Sequence, residues 1–256
     1  MESIEIKRII KIAMKTGRLM LQNGGETYRV EDTVKRMSES RGLKEVSVFV
    51  IPTGIIFSAD LGIETFTGLE RVNPEGIDLE SIDRSNNFAR QFTSTDMSLD
   101  EAEKRLSEIE NPPKFSKLIR VLGSGFGGGF FVLMFGGSAI EFLLAYIASS
   151  MTIYITDTID SKHLNFFIRN IIGGFAAALL SLLFVKAASV LMISASIEKV
   201  IVGPLMTLVP GVSLTNGIRD LISGELLAGS AKIMEALFIA IALAFGVGVI
   251  LQFFMA

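Results

Sequence analysis

Residues 203–220, GPLMTLVPGVSLTNGIRD, gather the side chains best suited to chemistry inside an otherwise apolar region. Pro204 and Pro210-Gly211 remove backbone donors and crowd the preceding turn, so they are expected to break a helix inside or near a membrane. Carbonyls and amides freed at such a break are tolerated only beside protein or a watery cavity. The second half of the broken helix would then open with exposed N–H groups that suit a carboxylate, the pattern of a transporter site. Thr207, Ser213, Thr215 and Asn216 would add neutral hydrogen-bonding groups and Arg219 a positive charge. An amino acid or small carboxylate is the cargo such a set would hold. The same residues have a second reading, in which Pro210-Gly211 ends a span and a cytoplasmic loop follows, capped by Thr215 or Asn216.

Three further ionisable groups fall within apolar spans: Glu141, Lys186 and Glu235. A carboxylate at such depth is costly and often serves proton coupling, which makes Glu141 and Glu235 the coupling candidates. Each could instead sit near an interface and reach water.

Gly123, Gly125 and Gly128 fit the G-x-G-x-x-G spacing of a dinucleotide-binding turn. That fold needs a polar-faced helix after the glycines, whereas Phe130 to Phe135 follow here with no charge before Glu141. A membrane helix uses such glycines differently: Gly123/Gly127 and Gly125/Gly129 are small-xxx-small pairs that admit a neighbouring backbone. No cofactor is expected.

Half of the 256 residues are hydrophobic and the net charge is only -3. Residues 1–120 hold 18 Lys/Arg and 20 Asp/Glu, against 6 and 7 in residues 121–256. A soluble domain, residues 1–115, is therefore expected to precede a lipid-embedded one, residues 116–256. Spans of about 20 apolar residues are needed to cross a bilayer, and five candidates occur near 118–136, 138–156, 166–187, 199–222 and 230–254. Lys114, Lys117, Arg120, Lys162, Arg169, Arg219 and Lys232 flank these spans on one side, against Lys186 and Lys199 on the other. The N-terminal domain should accordingly be cytoplasmic and the C-terminus should face out. No secretory signal is recognisable in residues 1–23, which alternate charged and apolar residues.

In the soluble half, the apolar spacing from Ile6 to Leu21 predicts a helix over 3–22, stopped by Asn23-Gly24-Gly25. A second helix should run over about 27–41, to Gly42. Residues 46–51 and 55–58 read as strands around Pro52-Thr53-Gly54, and Ile63 to Val72 as a third. A helix is compatible with 79–92, and Ser98-x-x-Glu101 is a capping box opening another that reaches Ile109. Asn111-Pro112-Pro113 then links to the membrane. The expected class is an α-helical polytopic membrane protein of about five transmembrane helices with an N-terminal cytoplasmic α+β domain.

Enzymatic chemistry finds little footing. There is no cysteine, hence no disulfide, thiolate metal site or cysteine nucleophile. The single histidine, His163, lies beyond the second span, and no G-x-x-x-x-G-K-[ST] motif supports ATP hydrolysis. A net charge near zero argues against nucleic acid.

Three stretches, GGETYRVEDTV (24–34), VFVIPTGIIFS (48–58) and VPGVSLTNGIRDLISGELLAGSAKIMEAL (209–237), together resemble the threonine/serine exporter family, specifically its YjjP-like members. The resemblance implies an inner-membrane exporter of threonine and serine, or of small dicarboxylates such as succinate, driven by an ion gradient. It also implies a separate small YjjB-like membrane protein as partner; a homo-oligomer is a further possibility. The positions carried over are Gly25, Glu26, Thr27, Tyr28 and Arg29 in the first stretch and Pro52, Thr53 and Gly54 in the second. In the third they are Pro210, Gly211, Thr215, Asn216, Gly217, Arg219, Asp220 and Glu235. Glu26, Thr27, Tyr28 and Arg29, with Pro52, Thr53 and Gly54, would serve gating. Equally, Glu26-Thr27 could cap a helix while Tyr28 packs on the domain core. The competing function is a membrane-anchored ligand sensor or scaffold whose soluble domain regulates a partner membrane protein.

Overall fold

Apolar residues three and four apart along residues 3–22 give helix α1 (Ser3–Gln22) one buried face, with Ile9, Ile12, Ala13 and Met20 almost wholly enclosed. The computed structural model describes residues 3–61, 65–74, 76–111, 115–160 and 165–255. His163, Lys114, Lys162, the Pro112-Pro113 link and the Ile63 start of the expected third strand lie outside the described residues.

The chain forms two compact units, one of Met1–Pro113 with Val212–Met234, the other of Lys114–Gly211 with Glu235–Ala256. In the first, α1 ends in a Schellman turn: Gly24 sits at φ +89°, its N–H donates to Leu21 O (3.2 Å), and the Gly25 N–H donates to Met20 O (2.9 Å). Helix α2 (Thr27–Glu39) follows and packs closely on α1, where a β-carbon on Gly17 would lie 2.5 Å from Val34 Cγ2. Strands β1 (Lys44–Ile51), β2 (Gly54–Asp60) and β3 (Thr65–Arg71) form an antiparallel sheet in that order. Pairing of Ile51 with Gly54 leaves Pro52-Thr53 as a two-residue hairpin turn. Helix α3 (Leu79–Ser94) is capped by the Asp78 carboxylate, which accepts from the Glu80 and Ser81 N–H groups. Helix α4 (Leu99–Glu110) is capped by Ser98 Oγ, which accepts from the Glu101 N–H. The reciprocal arm of the expected capping box is otherwise engaged, because the Glu101 carboxylate pairs with Arg105 at 2.6 Å. Phe57, Phe92, Met37 and Leu106 fill the core among these elements.

The second unit holds helices α5 (Lys117–Met134), α6 (Ala139–Asp160) and α7 (Phe166–Val190), the short α8 (Ile197–Val200) and α9 (Val202–Met206), and most of α11 (Leu226–Met255). Helix α10 (Gly211–Ile222) precedes α11. Among the described residues, four helices, α5, α6, α7 and α11, are long and apolar enough to cross a membrane, and the pair Ile197–Met206 with Gly211–Ile222 makes a fifth if counted as one broken span.

The break expected at the prolines within residues 199–222 is present. The alternative reading, a loop after Pro210-Gly211, needs correction, because residues 211–222 form helix α10. Pro204 offers no N–H to Val200 O, and the helix is interrupted at Ile201; it stops again at Met206, ahead of Pro210, which disfavours helical backbone in the residue before it. Thr215 and Asn216 accordingly lie inside α10 rather than capping a loop. Of the two glycine pairs on α5, only Gly125/Gly129 meets a neighbour: added β-carbons would strike Tyr146 and Ser150 from Gly125 and Phe142 from Gly129. Gly123 and Gly127 face open space among the described residues, while Gly128 approaches Ser149 and the Gly203 backbone. The packed stripe is therefore Gly125, Gly128, Gly129 and Val132, the i, i+3, i+4, i+7 face of one helix.

Candidate functional site

The α1–α2 turn and the α10–α11 hairpin, both in the first unit, meet through a network of polar groups. The turn brings two unlike helix ends together. Past the Schellman stop, Gly24 and Gly25 present carbonyl oxygens, and the first turn of α2 presents an N–H with no partner inside its helix. Carbonyls of that kind call for a donor or cation, and the N–H for an anion.

The hairpin supplies both. Helix α10 also ends in a Schellman turn, with Gly224 at φ +93° and the Glu225 N–H donating to Asp220 O (2.9 Å). Gly217 and Gly229 let the two helices close, since a β-carbon on Gly229 would lie 2.7 Å from Gly217 O. That approach sets Asp220 on α10 against Lys232 on α11, Oδ2 to Nζ at 2.8 Å. Asp220 Oδ1 accepts from the Thr27 N–H (3.1 Å), Lys232 Nζ donates to Gly25 O (3.1 Å), and Asn216 Nδ2 donates to Gly24 O (2.9 Å). Asp220 is wholly buried and the Lys232 side chain 11% exposed, so this is a desolvated ion pair. Beside it, Arg219 Nη1 donates to Glu26 Oε1 at 3.0 Å, and Arg29 lies 3.4 Å from Glu26 Oε2. The Thr27 hydroxyl is buried in this cluster without a hydrogen-bond partner among the described residues.

Burial raises the affinity of the Glu26 carboxyl for a proton, but a backbone N–H together with Arg219 and Arg29 outweighs it and holds the group below the ordinary carboxylate range. Glu31, one turn further along α2, behaves oppositely. Its Oε1 accepts from the Val50 N–H of β1 at 2.7 Å, yet burial, with Glu225 adding repulsion, pushes its carboxyl above the usual value. Through Glu31 and Val50 the first family-like stretch is tied to the second, and through Thr27 and Asp220 to the third.

Of the residues singled out in the sequence, the structure joins Glu26, Thr27, Arg29, Asn216, Arg219 and Asp220. Glu26 is the N-cap residue of α2, but its side chain makes no capping bond and turns to Arg219. Tyr28 is half-buried, and Ser213 is half-buried on α10. Pro52, Thr53 and Gly54 form the β1–β2 turn, where Thr53 O accepts from the Val72 N–H (3.0 Å). Thr207, Pro210, Gly211, Glu141 and Glu235 belong to the second unit. There Thr207 Oγ1 donates to Pro204 O (2.8 Å). Glu141 ties two loops together: Oε2 accepts from the Ser138 N–H (2.7 Å) and Oε1 from the Ser196 N–H (2.9 Å), with Lys199 3.9 Å away. Glu235 is exposed on α11 without a polar partner among the described residues.

Lys232, Gly24 and Glu31 are the participants that sequence reasoning passed over. Lys232 carried a signal, because a lysine one turn and a half into the most apolar helix requires a partner. Among the described residues no group of three or more histidine or carboxylate side chains could hold a metal.

Several helices long and apolar enough to cross a membrane mark a polytopic membrane protein. The match to one family model, described as "Putative threonine/serine exporter" (ThrE), extends over residues 11–254, and the chain belongs to that family. It is 23% identical over 255 residues to a threonine/serine exporter of Corynebacterium glutamicum, which covers 97% of this chain and 52% of that relative. It is 21% identical over 247 residues to the "Probable succinate transporter subunit YjjP" of Escherichia coli K12, covering 96% and 95%. A "Probable threonine/serine exporter" of Mycobacterium tuberculosis matches at 21% over 250 residues, covering 96% and 46%. The chain thus spans about half the length of the first and third of these relatives and nearly all of the second. No solved structure matches it significantly.

Proposed function

We propose that the chain is a subunit of an inner-membrane exporter of small amino acids (threonine or serine) or small dicarboxylates (succinate), a secondary transporter driven by an ion gradient. The observation that carries this reading is the bonding of residues 24–27 to residues 216–232. Two segments bonded to each other lie on one side of a membrane, so the chain between them crosses an even number of times. Helices α5, α6 and α7 account for three crossings, which leaves the fourth to α8 and α9. Their nine helical residues rise about 14 Å, under half of a hydrocarbon core of about 30 Å. The rest of that crossing is non-helical backbone, tolerable only beside protein or a watery cavity. An anchor has no use for such a segment, whereas a transport pathway does.

The other polar ties agree with this threading. Arg120 with Asp157 (2.9 Å) and Lys117 with Thr158 (2.8 Å) join the start of α5 to the end of α6, and Glu141 joins the loops before α6 and α8. Lys117, Arg120, Arg169, Arg219 and Lys232 then share the side of the N-terminal residues 1–115, which supports a cytoplasmic placement for them.

In this reading Thr207, Pro210, Gly211, Ser213, Thr215, Asn216, Arg219 and Asp220 contribute to the cargo path. Glu26 stands on Arg219 where a cargo carboxylate would bind, so Glu26, Thr27, Tyr28 and Arg29, with the Pro52-Thr53-Gly54 turn, act as a gate. Glu235, exposed and without a polar partner among the described residues, serves as the coupling carboxylate, while the tie that Glu141 makes suits it to holding the loops. The relative named a transporter subunit supports a partner chain, which we take to be a YjjB-like membrane protein.

The test is efflux of labelled threonine, serine and succinate from proteoliposomes, with this chain alone and with a YjjB-like partner, with and without an imposed gradient. Gradient-dependent efflux of one cargo is expected. Because the natural chain has no cysteine, single cysteines at Met192 and Ser223 report sidedness directly, and they should label from opposite faces. Absence of efflux from a correctly threaded, partnered protein would overturn the exporter reading in favour of a sensor.

A further inference from the structure

A groove of about 210 Å3 runs between α2 and α3 in the first unit, beside the network and sharing Arg29 with it. Two turns of each helix form its walls. Its floor is apolar, made by the fully buried Met37 and the nearly buried Ala89. Arg29 and Arg90 bring a guanidinium from each wall, and Thr33 and Asn86 add neutral donors. Arg36 also lines the groove, but Asp32 engages it at 2.7 Å. Among the described residues the side chains of Thr33, Asn86 and Arg90 have no hydrogen-bond or ion-pair partner, and Arg29 has only the 3.4 Å contact with Glu26. Three uncommitted donors, one of them cationic, thus line the groove together with Arg29, whose one contact is the long pairing with Glu26.

We propose that this groove is a binding site for a small dicarboxylate. Guanidinium groups pair with carboxylates through charge-assisted, often bidentate hydrogen bonds, and one on each wall matches an anion charged at both ends. The apolar floor suits a short methylene body between those ends. The volume is below the range of about 300–1,000 Å3 typical of drug-sized ligands, which suits an occupant of metabolite size.

The groove communicates with the network through one residue. Arg29 is shared between the groove and Glu26, so a bound carboxylate draws Arg29 away and leaves Arg219 as the cation facing Glu26. This regulatory step rests on the reading of Glu26 as a gate; the binding itself does not.

Isothermal titration of the full chain in detergent with succinate tests the site, with inorganic phosphate as the competing anion. Saturable binding of succinate is expected, weakened about tenfold or more in Arg90→Gln, the loss of one charged hydrogen-bonding partner. Thr33→Val should weaken it less, and Arg105→Gln, which lies in the cleft between α3 and α4, should leave it unchanged. Arg90 is exposed and its side chain has no hydrogen-bond or ion-pair partner among the described residues, so its replacement breaks no such tie. Binding that depends on Arg90 in a protein that transports no succinate would uphold the groove while refuting succinate as cargo. No saturable binding, an Arg90→Gln variant that binds as well as the wild type, or phosphate bound as tightly as succinate would each overturn the proposal.

Discussion

Replacing Asp220 by asparagine tests the buried centre of the network with almost no change of shape. The Asp220 carboxylate is wholly buried and receives two donors, the Thr27 N–H and the Lys232 ammonium. Asparagine keeps an acceptor for Thr27 but turns an amide toward Lys232 and removes the charge. Lys232 is then left with Gly25 O as its remaining acceptor. Breaking a buried pair by removing one partner costs about 3–5 kcal/mol, because the other charge stays desolvated. At roughly 2–4 °C per kcal/mol for a chain of this size, the lower figure lowers Tm by about 6–12 °C. Lys232→Met should cost a similar amount by stranding the carboxylate. The double variant should lose less than the sum of the two, with a coupling of about 2 kcal/mol. The chain has no tryptophan, so thermal unfolding of the solubilised protein is followed by circular dichroism. A shift of Tm under about 2 °C in Asp220→Asn, or strict additivity in the double variant, would refute the pair.

Glu26 gives a pH signature. Its folded pKa is depressed, so its contribution is present above the ordinary carboxylate value of 4.5 and is lost as pH falls through the folded value. Acid titration of Tm should therefore be less steep in Glu26→Gln than in the wild type, and an unchanged profile would contradict the Arg219 contact. Glu31 carries the opposite sign: its raised pKa makes the charged form a liability above 4.5. Glu31→Gln keeps the acceptor for Val50 and should raise Tm at neutral pH, with the gain vanishing in acid. On α5, Gly123→Ala meets nothing and should be neutral or stabilising by up to about 1 kcal/mol, whereas Gly128→Ala drives a methyl toward the Gly203 backbone and should lower Tm. Equal effects of the two on Tm would contradict the packing of α5.

Periodicity and turn residues carried much of the local structure. The spacing from Ile6 to Leu21 and the Asn23-Gly24-Gly25 stop marked α1 as it stands, because an amphipathic face and a left-handed glycine are written locally. Strand ends moved by up to two residues, as pairing across the sheet extends what side-chain pattern begins. Pro204 and Pro210 signalled a break but not its double form. The glycines of α5 could not be sorted by spacing alone, since which stripe is buried depends on where α6 lies. The network was the least legible part. Asp220 and Thr27 are separated by 193 residues, and a single sequence holds no record of such a pairing. Lys232 was read as a charge flanking a span, when its depth in an apolar helix already asked for an acid.

The split composition of the first unit has a consequence for biosynthesis. Residues 1–113 leave the ribosome early, but their Gly24 and Gly25 carbonyls and the Thr27 N–H must wait for residues 212–234. At about 5–20 residues per second, the intervening hundred residues take on the order of 5–20 s, during which every membrane helix between them is threaded. On the threading proposed above, a nascent chain that skipped or reversed one crossing would deliver Asp220 and Lys232 to the wrong face of the bilayer and leave the Gly25 carbonyl and the Thr27 N–H unbonded.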